Sequence, residues 1–282
     1  MYISTEIGSM KKYGNPKEII SLLKEVGFDA YDFSMDTYDT DNVFIYSDNY
    51  IEQAKDLRKY ADEIGIVCNQ AHAPFPTAKI DDIKYNEYIL KMIKRSIEVA
   101  SILGAKIIVV HPANYYSDKE NKIIFDELLP FAKSLNIKIA LENMWAWNKE
   151  EDHASICSCS NEERFNSLID LIDDDYIVSC IDVGHSEMYG LNTSFEKMSS
   201  SVKKFECIHI HDNDKIRDHH MLPFSYSIDF ENVIESLKKC NYKGDITFEA
   251  ITYLKKAPKD LLPSFLKLML DVGKYIKNKL EF

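Results

Sequence analysis

The sequence predicts an α/β chain closed into a single (β/α)8 barrel, and three observations carry that prediction. Eight short apolar runs punctuate the 282 residues, and runs of this length read as strands buried on both faces of a parallel sheet. They alternate with longer segments whose apolar residues recur at helical spacing. Nearly every run ends on Glu, Asp or His, as in Ile107-Ile108-Val109-Val110-His111, Ile139-Ala140-Leu141-Glu142 and Ile246-Thr247-Phe248-Glu249. In a barrel of parallel strands the carboxyl ends open on one mouth, so residues far apart in sequence become neighbours there. The expectation is one TIM-barrel domain over residues 1–282, with its functional site at that mouth.

The first strand is expected over residues 2–7 and its helix over 16–26, where Asn15-Pro16-Lys17-Glu18 sets a capping Asn before a proline at the first helical position. The following strand and helix pairs are expected at 30–33 with 49–63, 65–71 with 85–103, and 106–111 with 120–135. The second half continues with 138–142 and 162–172, 177–182 and 194–202, 207–211 and 230–240, and 245–250 with a last helix from about 260 to 278. Gly27, Gly65, Gly104 and Gly244 each stand between a helical pattern and a strand, where a residue of positive φ closes a helix. The two longest connections, 36–48 and 143–161, follow strands 2 and 5 and belong to the functional face.

With 46 acidic against 34 basic residues the net charge is -12, which disfavours a nucleic-acid partner and favours a small molecule. The opening Met1-Tyr2-Ile3-Ser4-Thr5-Glu6 has no basic region followed by a long apolar core, and no later run is long enough to cross a bilayer. A soluble, cytoplasmic protein without membrane attachment is expected, and a homo-oligomer is compatible with the chain. Cys68, Cys180 and Cys207 lie in strand-like runs where a free thiol acts as a small apolar side chain. Cys157-Ser158-Cys159 with His153 lacks a second Cys or His pair to complete a zinc clamp, so loop cysteines are expected there.

The strand ends supply Glu6, Asp32, His72, His111, Glu142, Asp182 with His185, His209 with His211, and Glu249. Carboxylate and imidazole are the side chains that hold divalent metals, and the pattern is informative as a set rather than member by member. A lone Glu6 or Asp32 at a strand end ordinarily caps a helix or meets a lysine, so neither joins the main group. Glu142 and Glu249 follow apolar runs, and a carboxylate buried there is costly without a cation or hydrogen bonds. His209 and His211 are two apart and share a side of an extended strand; one of them suffices as a ligand. His72 and His111 serve as substrate contacts, as further metal ligands or as hydrogen-bonded core residues. In Asp182-Val183-Gly184-His185 the glycine permits a tight turn between a ligand and a residue aimed at substrate or a second ion. Asp218-His219-His220 is either a solvated polar loop or another ligand set. Trp145 and Trp147 follow Glu142 and offer aromatic faces that stack on a sugar ring or close a loop over the barrel.

Taken together, Ala71-His72-Ala73-Pro74, His111-Pro112, Leu141-Glu142-Asn143, Ile181-Asp182-Val183-Gly184-His185, His209-Ile210-His211-Asp212 with Asp218 and His220, and Phe248-Glu249 resemble the xylose-isomerase-like barrels. That group includes sugar and sugar-phosphate isomerases and epimerases and the endonuclease IV enzymes. Resemblance to the epimerase branch implies one divalent ion (Mn, Mg or Co) held by Glu142, Asp182, a histidine of strand 7 (His209 or His211) and Glu249, with the two glutamates as acid and base. His185, His72, His111 and Trp145 would then meet the substrate. Resemblance to the endonuclease branch implies three Zn ions on His72, His111, Glu142, Asp182, His185, His209, Asp218, His220 and Glu249. The loop after His220 lacks the glycines common in the family, and the Phe75-Pro76-Thr77-Ala78 continuation differs from the repair branch. The sequence therefore favours a metal-dependent isomerase or epimerase of a small sugar or related polyol ketone, with a cyclic polyol dehydratase and a trinuclear-zinc phosphodiester hydrolase as alternatives.

Overall fold

The computed structural model describes residues 1–35 and 44–281; positions 36–43 of the long connection expected after strand 2 lie outside them. Eight strands run parallel in one sheet: β1 (Ile3–Thr5), β2 (Ala30–Ser34), β3 (Val67–His72), β4 (Ile107–Val109), β5 (Lys138–Glu142), β8 (Ile177–Asp182), β9 (Phe205–Ile210) and β10 (Ile246–Phe248). The remaining two, β6 (Ala146–Asn148) and β7 (His153–Ser155), pair antiparallel as a hairpin. The barrel order is β1-β10-β9-β8-β5-β4-β3-β2. It closes where Glu6 bridges Asp32 and the Ile7 amide donates to the Asp32 carbonyl at 3.1 Å.

Helices cover the outside: α1 (Pro16–Val26), α2 (Tyr50–Ile64), α3 (Ile83–Leu103), α4 (Asp118–Ser134), α5 (Glu162–Ile172), α7 (Phe195–Ser201), α8 (Phe230–Lys239) and α10 (Leu262–Glu281). Two short helices, α6 (Val183–Ser186) and α9 (Ile251–Lys255), follow β8 and β10 and interrupt the strict alternation expected from sequence. The main core lies between strands and helices and includes the fully buried Phe28, Phe125, Phe165, Phe195 and Phe230. A smaller cluster of Val109, Ala140, Val178, Cys180 and Cys207 fills the barrel interior. Among the described residues no helix is long and apolar enough to cross a membrane.

The helix-to-strand joints repeat one device more fully than the glycines suggest. Gly27, Gly65 and Gly104 take positive φ after α1, α2 and α3, and Asn136, Asp173, Lys204 and Asn241 take the same conformation after α4, α5, α7 and α8. Gly244 does not: the positive φ falls three residues earlier, on Asn241. A side chain at 244 would collide with the Glu206 carbonyl and the Tyr242 hydroxyl, so close approach is what requires glycine there. The capping box at Asn15 and Glu18 forms as expected, and a second forms at Ser117 and Glu120.

Candidate metal centre

The strand ends place the candidate residues around one mouth. His72 closes β3, Glu142 closes β5 and Asp182 closes β8. His209 lies in β9 and His211 just past it, whereas His111 and Glu249 fall beyond β4 and β10, which end earlier than the apolar runs suggest. His185 rides on α6, whose first turn is capped by the Asp182 carboxylate accepting from the His185 amide at 2.7 Å. Asp218 and His220 come from the connection between β9 and α8.

Three groups of donors result, in each of which the ligand atoms lie within 4.8 Å of one another. The first is Glu142, Asp182, His209 and Glu249; His209 Nδ1 stands 3.2 Å from Glu142 Oε1 and 3.4 Å from Glu249 Oε1. A second, His72, His111 and Glu142, shares the Glu142 carboxylate. Its two imidazole Nε2 atoms are 2.9 Å apart and lie 3.4 and 3.0 Å from Glu142 Oε2. The last is His185, His211, Asp218 and His220.

Second contacts fix how these rings face. His72, His185 and His220 each direct Nδ1 at a main-chain carbonyl, of Ala73, Asn143 and Glu249 respectively, each at 2.8 Å. A ring whose Nδ1 proton is spent on a carbonyl presents Nε2 toward the site, the arrangement typical of metal-bound histidine once Nε2 gives up its proton. Gln70 lies 2.7 Å from His209 Nε2 and donates to Asp32 at 3.0 Å, fixing the His209 ring plane. Asn143 accepts from the Asp182 amide at 2.6 Å and donates to its carbonyl at 3.0 Å. Sequence reasoning assigned Gln70 no role, although it stands two residues before His72 and so faces the same way. The Asp212 carboxylate is structural: it gathers the amides of Asn213, Ser225, Tyr226 and Ile228, shaping the connection that carries Asp218 and His220.

Gly184 serves a purpose other than a turn. Its φ is not positive, and a side chain there would strike the His211 ring. His219 points away from the centre to Asp214 at 3.0 Å. His153 meets Glu151 at 2.9 Å, and among the described residues Cys157 and Cys159 belong to no donor group. All six cysteines are free thiols.

Burial pushes the Glu249 carboxyl up to about 7, against the pull of His209. It pushes Glu142 up as well, but His209 and His111 outweigh it and hold that carboxyl well below the usual range. Burial disfavours a charge on His185, His209 and His220, yet the carboxylates facing them hold all three above the ordinary imidazole value. The centre is thus a buried lattice of alternating charge.

Its chemistry fits bound cations. Asp182 Oδ2, Asp218 Oδ1, His209 Nδ1 and both His211 ring nitrogens are buried without hydrogen-bond partners, and such groups are costly unless something else satisfies them. Above the centre lies a cavity of about 390 Å³ lined by His72, Phe75, His111, Trp145, Trp147 and Glu249, among others. The tryptophans have more to pack on than sequence suggests: Trp145 precedes the β6–β7 hairpin and Trp147 lies in β6, and the two cross edge-to-face at 6.0 Å and rest on Ala154, Met188 and Leu191. Arg217 caps Trp147 at 4.2 Å from its ring centre, joining the hairpin to the connection after β9.

Residues 20–268 match the family model described as xylose isomerase-like TIM barrel. A putative L-ribulose-5-phosphate 3-epimerase of Haemophilus influenzae is 23% identical over 263 residues, covering 86% of this chain and 86% of its own. A probable endonuclease 4 of Metamycoplasma arthritidis is 26% identical over 220 residues, covering 72% and 74%. A crystal structure of the IolI protein with a bound zinc atom superposes with a TM-score of 0.76 at 19% identity, covering 98% of this chain and 99% of that one. The chain belongs to the xylose isomerase-like TIM-barrel family.

Proposed function

We propose that this chain is a divalent-metal-dependent isomerase or epimerase of a small sugar or related polyol ketone. The observation that carries the reading is the placement of two glutamates, Glu142 and Glu249, on the same imidazole nitrogen of His209 at the floor of an aromatic-lined cavity. Similarity to a putative sugar-phosphate epimerase supports it. Glu142, Asp182, His209 and Glu249 would hold the ion, an oxygen-rich set suited to Mn, Mg or Co. Bound there, a divalent cation polarises a carbonyl and its neighbouring hydroxyl and so acidifies the adjacent C–H.

The protein's own groups then differ in freedom. Glu142 is 1% exposed, and its second oxygen is engaged by His111 at 3.0 Å. Glu249 is 8% exposed and lines the cavity, so its carboxylate can reach a bound substrate to take and return a proton. Glu249 therefore leads the proton transfer and Glu142 completes it from the other side. Trp145 and Phe75 supply apolar faces for a sugar ring, and the cavity excludes all but a small substrate.

The test is deuterium uptake from heavy water into a panel of ketoses, inososes and their phosphates. Glu249→Gln is expected to abolish exchange at the carbon next to the carbonyl while leaving sugar binding measurable; exchange at the wild-type rate contradicts the assignment.

One specific observation favours a second reading: ten donors fall into three groups, two of which share Glu142, a multinuclear arrangement of the kind a zinc phosphodiester hydrolase uses. The similarity to a probable endonuclease 4 points the same way. The net charge of -12 opposes a nucleic-acid substrate. Cleavage of an abasic duplex by the zinc-loaded protein would decide for this reading.

A further inference from the structure

We propose that the substrate of this site is a neutral sugar or polyol ketone and that the phosphate esters of such sugars are excluded. The proposal rests on the isomerase reading and narrows its substrate class. Behind it stands one observation: the place where such barrels offer amides to a phosphate is present here but closed by the protein's own acceptors.

In (β/α)8 barrels a phosphate is commonly held by the connections after the seventh and eighth strands and by the first turn of a short extra helix. Free amides and the helix dipole favour an anion at such a turn. Here those parts are the connection after β9 and the helix α9, which begins at Ile251 on the cavity wall. Every amide in the first turn of α9 already donates. Ile251 gives its proton to the Glu249 carbonyl at 2.7 Å, Thr252 and Tyr253 to the His220 carbonyl at 3.1 and 3.3 Å, and Leu254 to the Ala250 carbonyl at 3.1 Å. The connection after β9 is spent in the same way. Besides the four amides gathered by Asp212, the Asp214 carboxylate accepts from the amides of Ile216 and Arg217 at 2.8 and 2.7 Å. Two aspartates thus occupy the donors a phosphate would need.

No side chain replaces those donors. Among the described residues no lysine or arginine lines the cavity, and its charged groups are Glu142, Asp218 and Glu249 beside the histidines. Two cations adjoin lining residues in sequence, and both are held elsewhere: Arg217 pairs with Asp152 at 2.6 Å and covers Trp147, and Lys79 Nζ lies 3.9 Å from the Tyr85 ring centre. Positions 36–43, outside the described residues, contain three aspartates and neither lysine nor arginine. The net charge of -12 adds repulsion of a dianion at longer range.

What the wall does offer suits a neutral ring. Phe75, Pro76, Ala78, Trp145 and Trp147 present apolar and aromatic surface, and the Asn114 side-chain amide is taken up by the Trp145 carbonyl at 2.9 Å. A phosphate pressed against that surface would lose hydration without gaining a counter-ion, whereas the C–H face of a sugar packs on an aromatic ring without that loss. The similar putative L-ribulose-5-phosphate 3-epimerase is named for an ester. Its phosphate sits two carbons from the epimerised centre, so proton-transfer residues can be shared where the substrate class is not.

The chain's two tryptophans both line the cavity, so tryptophan fluorescence reports occupancy without turnover. The experiment titrates the full-length, manganese-loaded protein with each ketose and inosose of the panel and with its phosphate ester, and follows deuterium uptake into the same pairs. The free sugar is expected to bind at about a hundredfold lower concentration than its ester, and to exchange with a kcat/KM about a hundredfold higher. An ester that binds or exchanges as well as its free sugar overturns the substrate class while the isomerase reading stands. A free sugar that binds preferentially without exchanging upholds the class and contradicts the isomerase reading. If no member of any pair binds, both fall. Tyr115 lines the cavity and is 72% exposed, so Tyr115→Arg sets a cation beside the ligand and is expected to narrow the preference about tenfold. An unchanged preference in that variant would mean discrimination by size and overturns the argument from charge.

Discussion

His72 and His220 show how single residues couple the centre to pH. The carboxylates beside them overcome burial and raise them to about 9 and about 10, from 6.5 in an unfolded chain. A histidine raised on folding contributes stability that is fully present below its unfolded value and is lost as pH rises through its folded value. Asp218 runs the other way: held well below the usual carboxylate range by His220 and His185 against the effect of burial, it contributes stability that is lost as pH falls through the acid range. The metal-free protein should therefore lose melting temperature between pH 6.5 and about 10. Zinc competes with protons for the same nitrogens, so the increment zinc adds to the melting temperature should grow across that window. Melting scans with and without zinc check both, and a metal-free melting temperature that climbs with pH contradicts the first. At this scale the sequence made the strand-end candidates legible, because His72, Glu142, Asp182 and Glu249 sit where an apolar run stops, whereas His185 rides on α6 and Asp218 and His220 lie in a connection. It did not show that His209 and His211 serve different groups: spacing by two implies a shared side, but β9 ends at Ile210 and His211 leaves the strand.

At the scale of elements, helix starts were readable because capping chemistry is local. Asn15→Ala removes a capping box at α1 and should cost about 1 kcal/mol, which for a chain of this size lowers the melting temperature by roughly 2–4 °C. An unchanged melting temperature would mean that packing alone sets that helix start. The stops were only half readable. Glycine announces a positive φ, whereas Lys204 in the same conformation gives no sign of it in the sequence, since neighbouring structure imposes it. The β6–β7 hairpin was hidden for a related reason, its strands being three residues each and held by tryptophan packing rather than by periodicity. Arg217 stacks on Trp147 and pairs with Asp152 at 2.6 Å, clasping that hairpin from outside. Both charged groups are well exposed, so Arg217→Ala should change stability by less than about 1 kcal/mol. The loosened cavity wall should instead raise KM for the sugar with kcat little changed, which steady-state kinetics on the responsive ketose will read; equal losses in kcat and kcat/KM would place Arg217 closer to the chemistry.

For the whole molecule, the eight-fold alternation was the most legible feature, because parallel strands buried on both faces must be apolar throughout and the helices covering them must be amphipathic. What alternation cannot convey is how the ring closes. The bridge between Glu6 and Asp32 does so, and both acids at that seam have structural partners: Glu6 accepts from the Ser9 amide at 3.0 Å, and Asp32 accepts from Gln70. Closure brings Glu142, Asp182, His209 and Glu249, which span more than a hundred positions of sequence, onto one point. Anomalous scattering from crystals grown with manganese tests that convergence most directly. A peak within bonding distance of all four side chains is the result expected, and crystals that bind manganese only elsewhere, leaving those four donors without an ion, would contradict it.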